Sequence, residues 1–294
     1  MIARVKEIVL NEYVLENIED NSEFKASLRG NIKRKNGILV GDLVEVEVSY
    51  DRYMIKKILP RKNSLIRPPV ANIDNLVIVV SLSTPSPDFF LLDKQIVLAK
   101  FKDILPIIVI NKIDLNISDI TNKDLSYIKN VYGNLGFQII EVSAKNNIGI
   151  DVLKEKLHNK ISAFSGNSGV GKSSIINKIF GTNSLTFEVA KKTNRGRHTT
   201  KHVKIYKNED MYVLDTPGFS SYELYDIEYK ELKNYYPDFL ECKCDYLDCS
   251  HVLENEKVCG VKKAINDGRI DKNRYDRYVE LFKKLKDEYD RKYK

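Results

Sequence analysis

Apolar and polar positions alternate with a period of two in five short runs near the start of the chain. These are ARVKEIVL, EYVLENI, FKASLRG, LVEVEVS and YMIKKIL, separated by the turn-forming NSE, KRKNG and SYDR. Such alternation marks half-buried strands. Five strands within residues 1–59 are too few for an open sheet without exposed edges, so a closed barrel in the order of an OB-fold is expected. The stretch PRKNSLIRPPVANID, residues 60–74, carries three prolines and no periodicity, and reads as a linker.

Beyond it the pattern changes to nearly continuous apolar runs at LVIVVSL, PIIVIN, QIIEVSA, KISAFSG and MYVLDTPG. These alternate with helical periodicity near 90–102, 121–135, 150–158 and 172–181. Strands buried on both faces and separated by helices predict a mostly parallel sheet with helices on each side. KHVKIYK and MYVLDT, joined by NED, predict an antiparallel hairpin on that sheet. Strands end after residue 222. A tyrosine-rich helical stretch, a Cys/His knot and a final helix from about 271 complete the chain. The expected fold class is multidomain α/β, with a barrel at 1–59, a linker at 60–74, an α/β domain at 75–221 and a helical domain bearing the Cys/His knot at 222–294.

Composition narrows the function classes. The chain has 294 residues with 30% charged side chains and a net charge of +7, which excludes a collagen-like or disordered chain. No apolar run reaches the ~20 residues of a membrane span, so a cytoplasmic protein with no membrane partner is expected. All four cysteines lie between Cys242 and Cys259, which suits a metal site in a reducing compartment. Arg29, Lys33, Arg34 and Lys35 gather at one loop of the expected barrel, where they could meet nucleic-acid phosphates or stay solvated.

GNSGVGKS, running through Gly166, Asn167, Ser168, Gly169, Val170, Gly171, Lys172 and Ser173, fits a P-loop between an apolar strand and an amphipathic helix. Its backbone N–H groups, with Ser174 on the first helical turn, would cradle phosphates. Lys172 would reach the β and γ oxygens and Ser173 would hold Mg2+. NKID supplies Asn111, Lys112 and Asp114 at one strand end, and SAK supplies Ser143, Ala144 and Lys145 at another. The Asp114 carboxylate can accept from guanine N1–H and the 2-amino group, which adenine does not offer. Asn111 can tie the loop and approach N7, the Ala144 N–H can donate to O6, and the stems of Lys112 and Lys145 can cover the base. GTP and GDP are therefore the expected ligands.

DTPG ends the last strand. Asp215 is placed for a water-mediated contact to Mg2+ and Gly218 for the γ-phosphate, while Thr199 or Thr200 could be the switch threonine. In an ordinary small GTPase the P-loop comes first; here NKID and SAK precede it. The order implies a circular permutation in which the chain leaves the switch directly for the C-terminal domain.

With these motifs in this order, and through VGDLVEVEV, SGNSGVGKSSIIN, GRHTT, DTPGF and CDYLDCSH, the whole chain resembles the circularly permuted ribosome small-subunit-dependent GTPase A family (RsgA). The resemblance implies an OB-fold, a permuted GTPase domain and a zinc-bearing helical domain. It implies a factor that binds the small ribosomal subunit and its rRNA late in maturation and hydrolyses GTP there, as a monomer. Cys244, Cys249, His251 and Cys259, spaced C-x4-C-x-H-x7-C, form a closed set suited to one structural zinc, with Cys242 to spare. Phe219 occupies the position where many GTPases place a water-orienting glutamine, so intrinsic hydrolysis should be slow. His198 is the candidate replacement, by the resemblance and by its hydrogen-bonding capacity. The rival expectation is a GTP-dependent RNA-binding scaffold with incidental turnover.

Overall fold

The computed structural model describes residues 1–9, 12–28, 37–49, 52–65, 68–115, 119–182, 203–215, 224 and 226–292, with 119–121 and 215 described in their backbone alone. The basic cluster at Arg29 and Lys33–Lys35 lies outside them.

The first five strands are β1 (Ile2–Val9), β2 (Glu12–Asn17), β3 (Glu23–Leu28), β4 (Leu43–Ser49) and β5 (Arg52–Ile58). They pair in the order β1-β2-β3-β5-β4, and β4 returns to β1 to close the barrel. The β3–β5 pair is parallel and the others antiparallel, the arrangement expected of an OB-fold. Alternate residues point inward, so Ala3, Val5, Leu15, Val44 and Ile55 fill the barrel.

The proline-containing stretch after the barrel holds β6 (Ser64–Leu65) and β7 (Val70–Ala71), a small antiparallel hairpin. Its Leu65, Val70, Ala71 and Ile73 are buried. Arg61 clamps the buried Asp42 carboxylate with two bonds of 2.6 and 2.8 Å, tying this segment back onto the barrel.

The second sheet contains β8 (Asn75–Ser81), β9 (Leu105–Asn111), β10 (Gln138–Glu141), β11 (Ile161–Ser165), β12 (Lys204–Asn208) and β13 (Met211–Asp215). Their order is β10-β9-β8-β11-β13-β12, parallel throughout except for the β12–β13 hairpin. The helices are α1 (Phe89–Phe101), α2 (Asp119–Tyr127), α3 (Ile150–Leu157), α4 (Lys172–Phe180), α5 (Gly260–Asn266) and α6 (Lys272–Lys292). A π-helical turn over Ile128–Gly133 extends α2. Every residue of β8 is buried, as a central parallel strand covered on both faces requires.

The barrel joins this sheet edge to edge through the β1–β12 bridge Glu7↔Lys204. Lys204 also pairs with Glu7 at 2.9 Å, and Lys207 reaches the nearly buried Glu16 at 2.6 Å. The C-terminal region packs α6 along α1. Among the described residues no helix is long and apolar enough to cross a membrane.

Candidate nucleotide site and metal cluster

The loops after β8, β9, β10 and β11 gather at the carboxyl edge of the parallel strands, where open α/β sheets bind ligands. The register sets them side by side: Ser81 lies opposite Asn111, and Ser165 opposite Ile78. Strands β8 and β9 thus end level with one another, while β11 ends three residues below the end of β8.

Gly166 and Gly171 must be glycine. Gly166 has φ +131°, and a Cβ there would lie 2.2 Å from the Val79 carbonyl oxygen. Gly171, the N-cap of α4, has φ +97°, and its Cβ would lie 2.2 Å from Asn111 Nδ2. Between them the loop turns back over the start of α4. Lys172 Nζ donates to the carbonyls of Gly166 and Asn167 at 2.7 and 2.8 Å. Burial lowers the pKa of this ammonium, raising its demand for acceptors. Val170 is buried, whereas Ser168, Gly169 and Ser174 are exposed and Ser173 is half-buried on the first turn.

Asn111 is buried and joins two loops. Its Nδ2 donates to the Val170 carbonyl at 2.8 Å, and its Oδ1 accepts from the Ala144 N–H at 3.3 Å. Ser143 Oγ donates to Asp114 Oδ1 at 2.5 Å and accepts from the Asn146 N–H at 3.0 Å. The Ser143 bond is the main reason the Asp114 carboxyl sits below its ordinary pKa, with Lys145 and Lys112 assisting. Lys112 has φ +67° and donates to the Thr84 carbonyl at 2.6 Å, a contact with no sequence signature. Together these loops line an open cleft of about 430 Å³ that includes Asn111, Asp114, Ala144, Lys145, Gly171 and Asn177. The structure therefore gathers the three motifs around one cleft. His198, Thr199, Thr200, Gly218 and Phe219 lie outside the described residues.

A second cluster lies in the C-terminal region. The ligand atoms of Cys244, Cys249, His251 and Cys259 all fall within 4.8 Å of one another. His251 Nδ1 is 3.5 Å from Cys244 Sγ and 3.6 Å from Cys259 Sγ. A tetrahedral zinc with Zn–S about 2.3 Å and Zn–N about 2.05 Å would set these two edges at about 3.6 Å, so the donor set fits that ion. Burial, with the nearby Lys233, pulls His251 down to about 4, which keeps its imidazole neutral as ligation requires. The Gly260 N–H lies 3.2 Å from Cys244 Sγ. Cys242 stands apart, directed at the Asp238 carbonyl 3.8 Å away.

This cluster is braced against the nucleotide-binding sheet. Tyr275 and Tyr278 of α6 donate to the carbonyls of His251 and Ser250 at 2.7 and 2.6 Å. In the same turn of α6, Arg274 and Arg277, each directly preceding one of these tyrosines, pair with Asp93 of α1, and Arg274 also pairs with Asp238 at 3.2 Å. Asp93 and Arg274 are each about 1% exposed, and Tyr132 donates to Asp93 at 2.9 Å. Sequence reading missed this network. Its one signal is an aspartate set within the apolar helix FFLLDKQIVLAKF.

The family model described as RsgA GTPase matches residues 58–225. A relative from Ruminiclostridium cellulolyticum, named small ribosomal subunit biogenesis GTPase RsgA, is 42% identical over 273 residues, covering 90% of this chain and 87% of its own. The crystal structure of YjeQ from Thermotoga maritima superposes with a TM-score of 0.84 at 36% identity, covering 97% of this chain and 98% of that one. The structure of YloQ, described as a circularly permuted GTPase, gives 0.81 at 32% identity over 98% and 95%. Motif order, strand order and these likenesses agree, and the chain belongs to the RsgA GTPase family.

Proposed function

We propose that this chain hydrolyses GTP to GDP and phosphate on the small ribosomal subunit, late in that subunit's maturation. The observation that carries the reading is the cleft in which Asn111 joins the phosphate loop to the Ala144 backbone while Ser143 hydrogen-bonds and orients the Asp114 carboxylate. A fixed carboxylate between Lys112 and Lys145 is matched to the N1–H and 2-amino donors of guanine. Lys172 would turn from its loop carbonyls toward the β and γ oxygens. Ser173 and Asp215 would hold the Mg2+ that accompanies GTP, and the ion would offset charge on the transferred phosphoryl group.

The remaining roles rest on sequence position. Thr199 or Thr200 would close over the metal, the Gly218 N–H would meet the γ-phosphate, and His198 would orient water where Phe219 offers no polar group. The name carried by the relatives supports the ribosomal assignment, as do an OB-type barrel and the basic residues Arg29 and Lys33–Lys35 that follow β3 in the sequence. The four-ligand cluster would hold one structural zinc per chain, closed to substrate.

Nucleotide selection tests the pocket. GDP should bind the purified chain far more tightly than ADP, and Asp114→Asn should shift preference toward xanthosine nucleotides, whose 2-oxo group can accept from the new amide. Equal binding of ADP and GDP, or unchanged guanine preference in the variant, would contradict the assignment.

A further inference from the structure

Behind the phosphate loop, on the side away from the open cleft, α1 places a buried carboxamide that the nucleotide motifs do not account for. Gln95 is 3% exposed, and its Nε2 donates to Ser165 Oγ at 2.6 Å. Ser165 is the last residue of β11 and is itself about 1% exposed. The next two carbonyls along the chain, those of Gly166 and Asn167, are the acceptors of Lys172. The Gln95 amide therefore grips the backbone immediately before the segment that seats the phosphate-binding ammonium.

The other end of that amide has no partner. Gln95 Oε1 is buried and meets no donor among the described residues. Beside it lies a void of about 10 Å³ lined by Gln95, Gly166, Asn167, Val170, Ser86 and Asp88. That is room for about one water, which would rest on the few polar groups there, since Val80, Leu91 and Leu92 share the lining with Ser86, Asp88 and Asn167. Exchanging the amide's oxygen and nitrogen leaves the argument unchanged, since one end still bonds Ser165 and the other still faces the void. Leaving a buried carboxamide unpaired is destabilising, so a bridging water to the loop is the inexpensive solution. The helix carrying Gln95 is a firm support. Asp88 caps it by accepting from the Leu91 N–H at 2.9 Å, and Asp93, two residues away, is locked to Arg274 and Arg277.

We infer that Gln95 is a positioning residue for phosphate binding, holding the back of the P-loop through Ser165 and one water. The inference rests on the P-loop reading above and adds a residue to it. Because the grip lies next to Gly166 and Asn167, it bears first on the β-phosphate cradle; the base contacts at Asp114 and Ala144 lie further off, beyond the Asn111 tie to Val170.

The test uses the full chain and three ligands: GTP, GDP and GMP, the last lacking a β-phosphate. Gln95→Met keeps the volume and removes both polar ends. It should weaken GTP and GDP about five- to tenfold, the effect of about one hydrogen bond, with GMP competition unchanged. Ser165→Ala should give the same pattern, and the double variant should be no worse than either single one. If Gln95→Met does not fold, Ser165→Ala is read alone by the same criteria. GDP and GTP affinities within twofold of the unmodified chain, or a parallel loss for GMP, would overturn the inference. A wild-type chain that binds no guanine nucleotide would instead overturn the P-loop reading, and this inference with it.

Discussion

The nucleotide cleft and the C-terminal metal cluster are built by opposite means. In the cleft, each functional group lies in a short contiguous motif at a strand end, and the parallel sheet brings the motifs together. The sheet carries its own apolar layers, so the described loops of the cleft are held together by the protein alone. The described residues of the C-terminal region include no strand, and its core is held by the Cys/His cluster, packed aromatic rings and a buried ion network to α1. Such a region leans on its neighbour and, under the zinc proposal, would depend on the metal as well. The difference teaches that the cleft's motifs are local in sequence, whereas the contacts that hold the C-terminal region to α1 join residues far apart in the chain.

The largest expected effect breaks the chemistry alone. Lys172→Ala should reduce GTP turnover by more than about 100-fold while metal content and thermal midpoint stay near those of the unmodified chain, because the ammonium touches two backbone carbonyls and little apolar packing. A large fall in stability would show that the cleft is not as independent as described. The converse is removal of the metal. Cys249→Ser, or chelation, should abolish zinc in elemental analysis and raise hydrogen exchange across the region after residue 226, with GDP binding largely retained. Full zinc occupancy in the variant would refute the ligand set.

Asp93→Asn probes the connection between the two. Arg274 and Arg277 would lose their shared carboxylate inside the protein, and breaking one side of such a buried network costs about 3–5 kcal/mol. The loss should appear as a lower thermal midpoint with the GTP affinity nearly unchanged. The smallest effect belongs to Ser143→Ala. Without that hydroxyl the Asp114 carboxyl moves up toward its ordinary pKa. Guanine binding should then weaken a few-fold near neutrality and fail at a higher pH on acidification than in the unmodified chain, as pH–affinity titrations would show.

Legibility in the sequence follows the same division. The barrel strands could be read because one face is wet and the other dry, and the parallel strands because both faces are dry. Asn111, Asp114, Ser143 and Lys172 could be read because each sits in a motif whose neighbours imply a strand end. Asp93 and Arg274 could not, since they are 181 residues apart and each alone looks like a surface charge. Gln95 and Ser165, 70 residues apart, were hidden for the same reason. The 60–74 stretch shows a third limit. Two-residue strands have no period, so nothing in PRKNSLIRPPVANID signals that Leu65, Val70 and Ile73 would be buried.

The central claim is that this GTPase is completed by the small ribosomal subunit. The most direct measurement is steady-state GTP hydrolysis by the full-length chain alone, with isolated small subunits and with isolated large subunits, at two salt concentrations. We expect slow turnover alone and strong stimulation by small subunits only, approaching the roughly 10³-fold scale of other completed GTPase sites and falling as salt rises because docking rests on phosphate contacts. Equal rates under all three conditions, or stimulation by the large subunit, would contradict it.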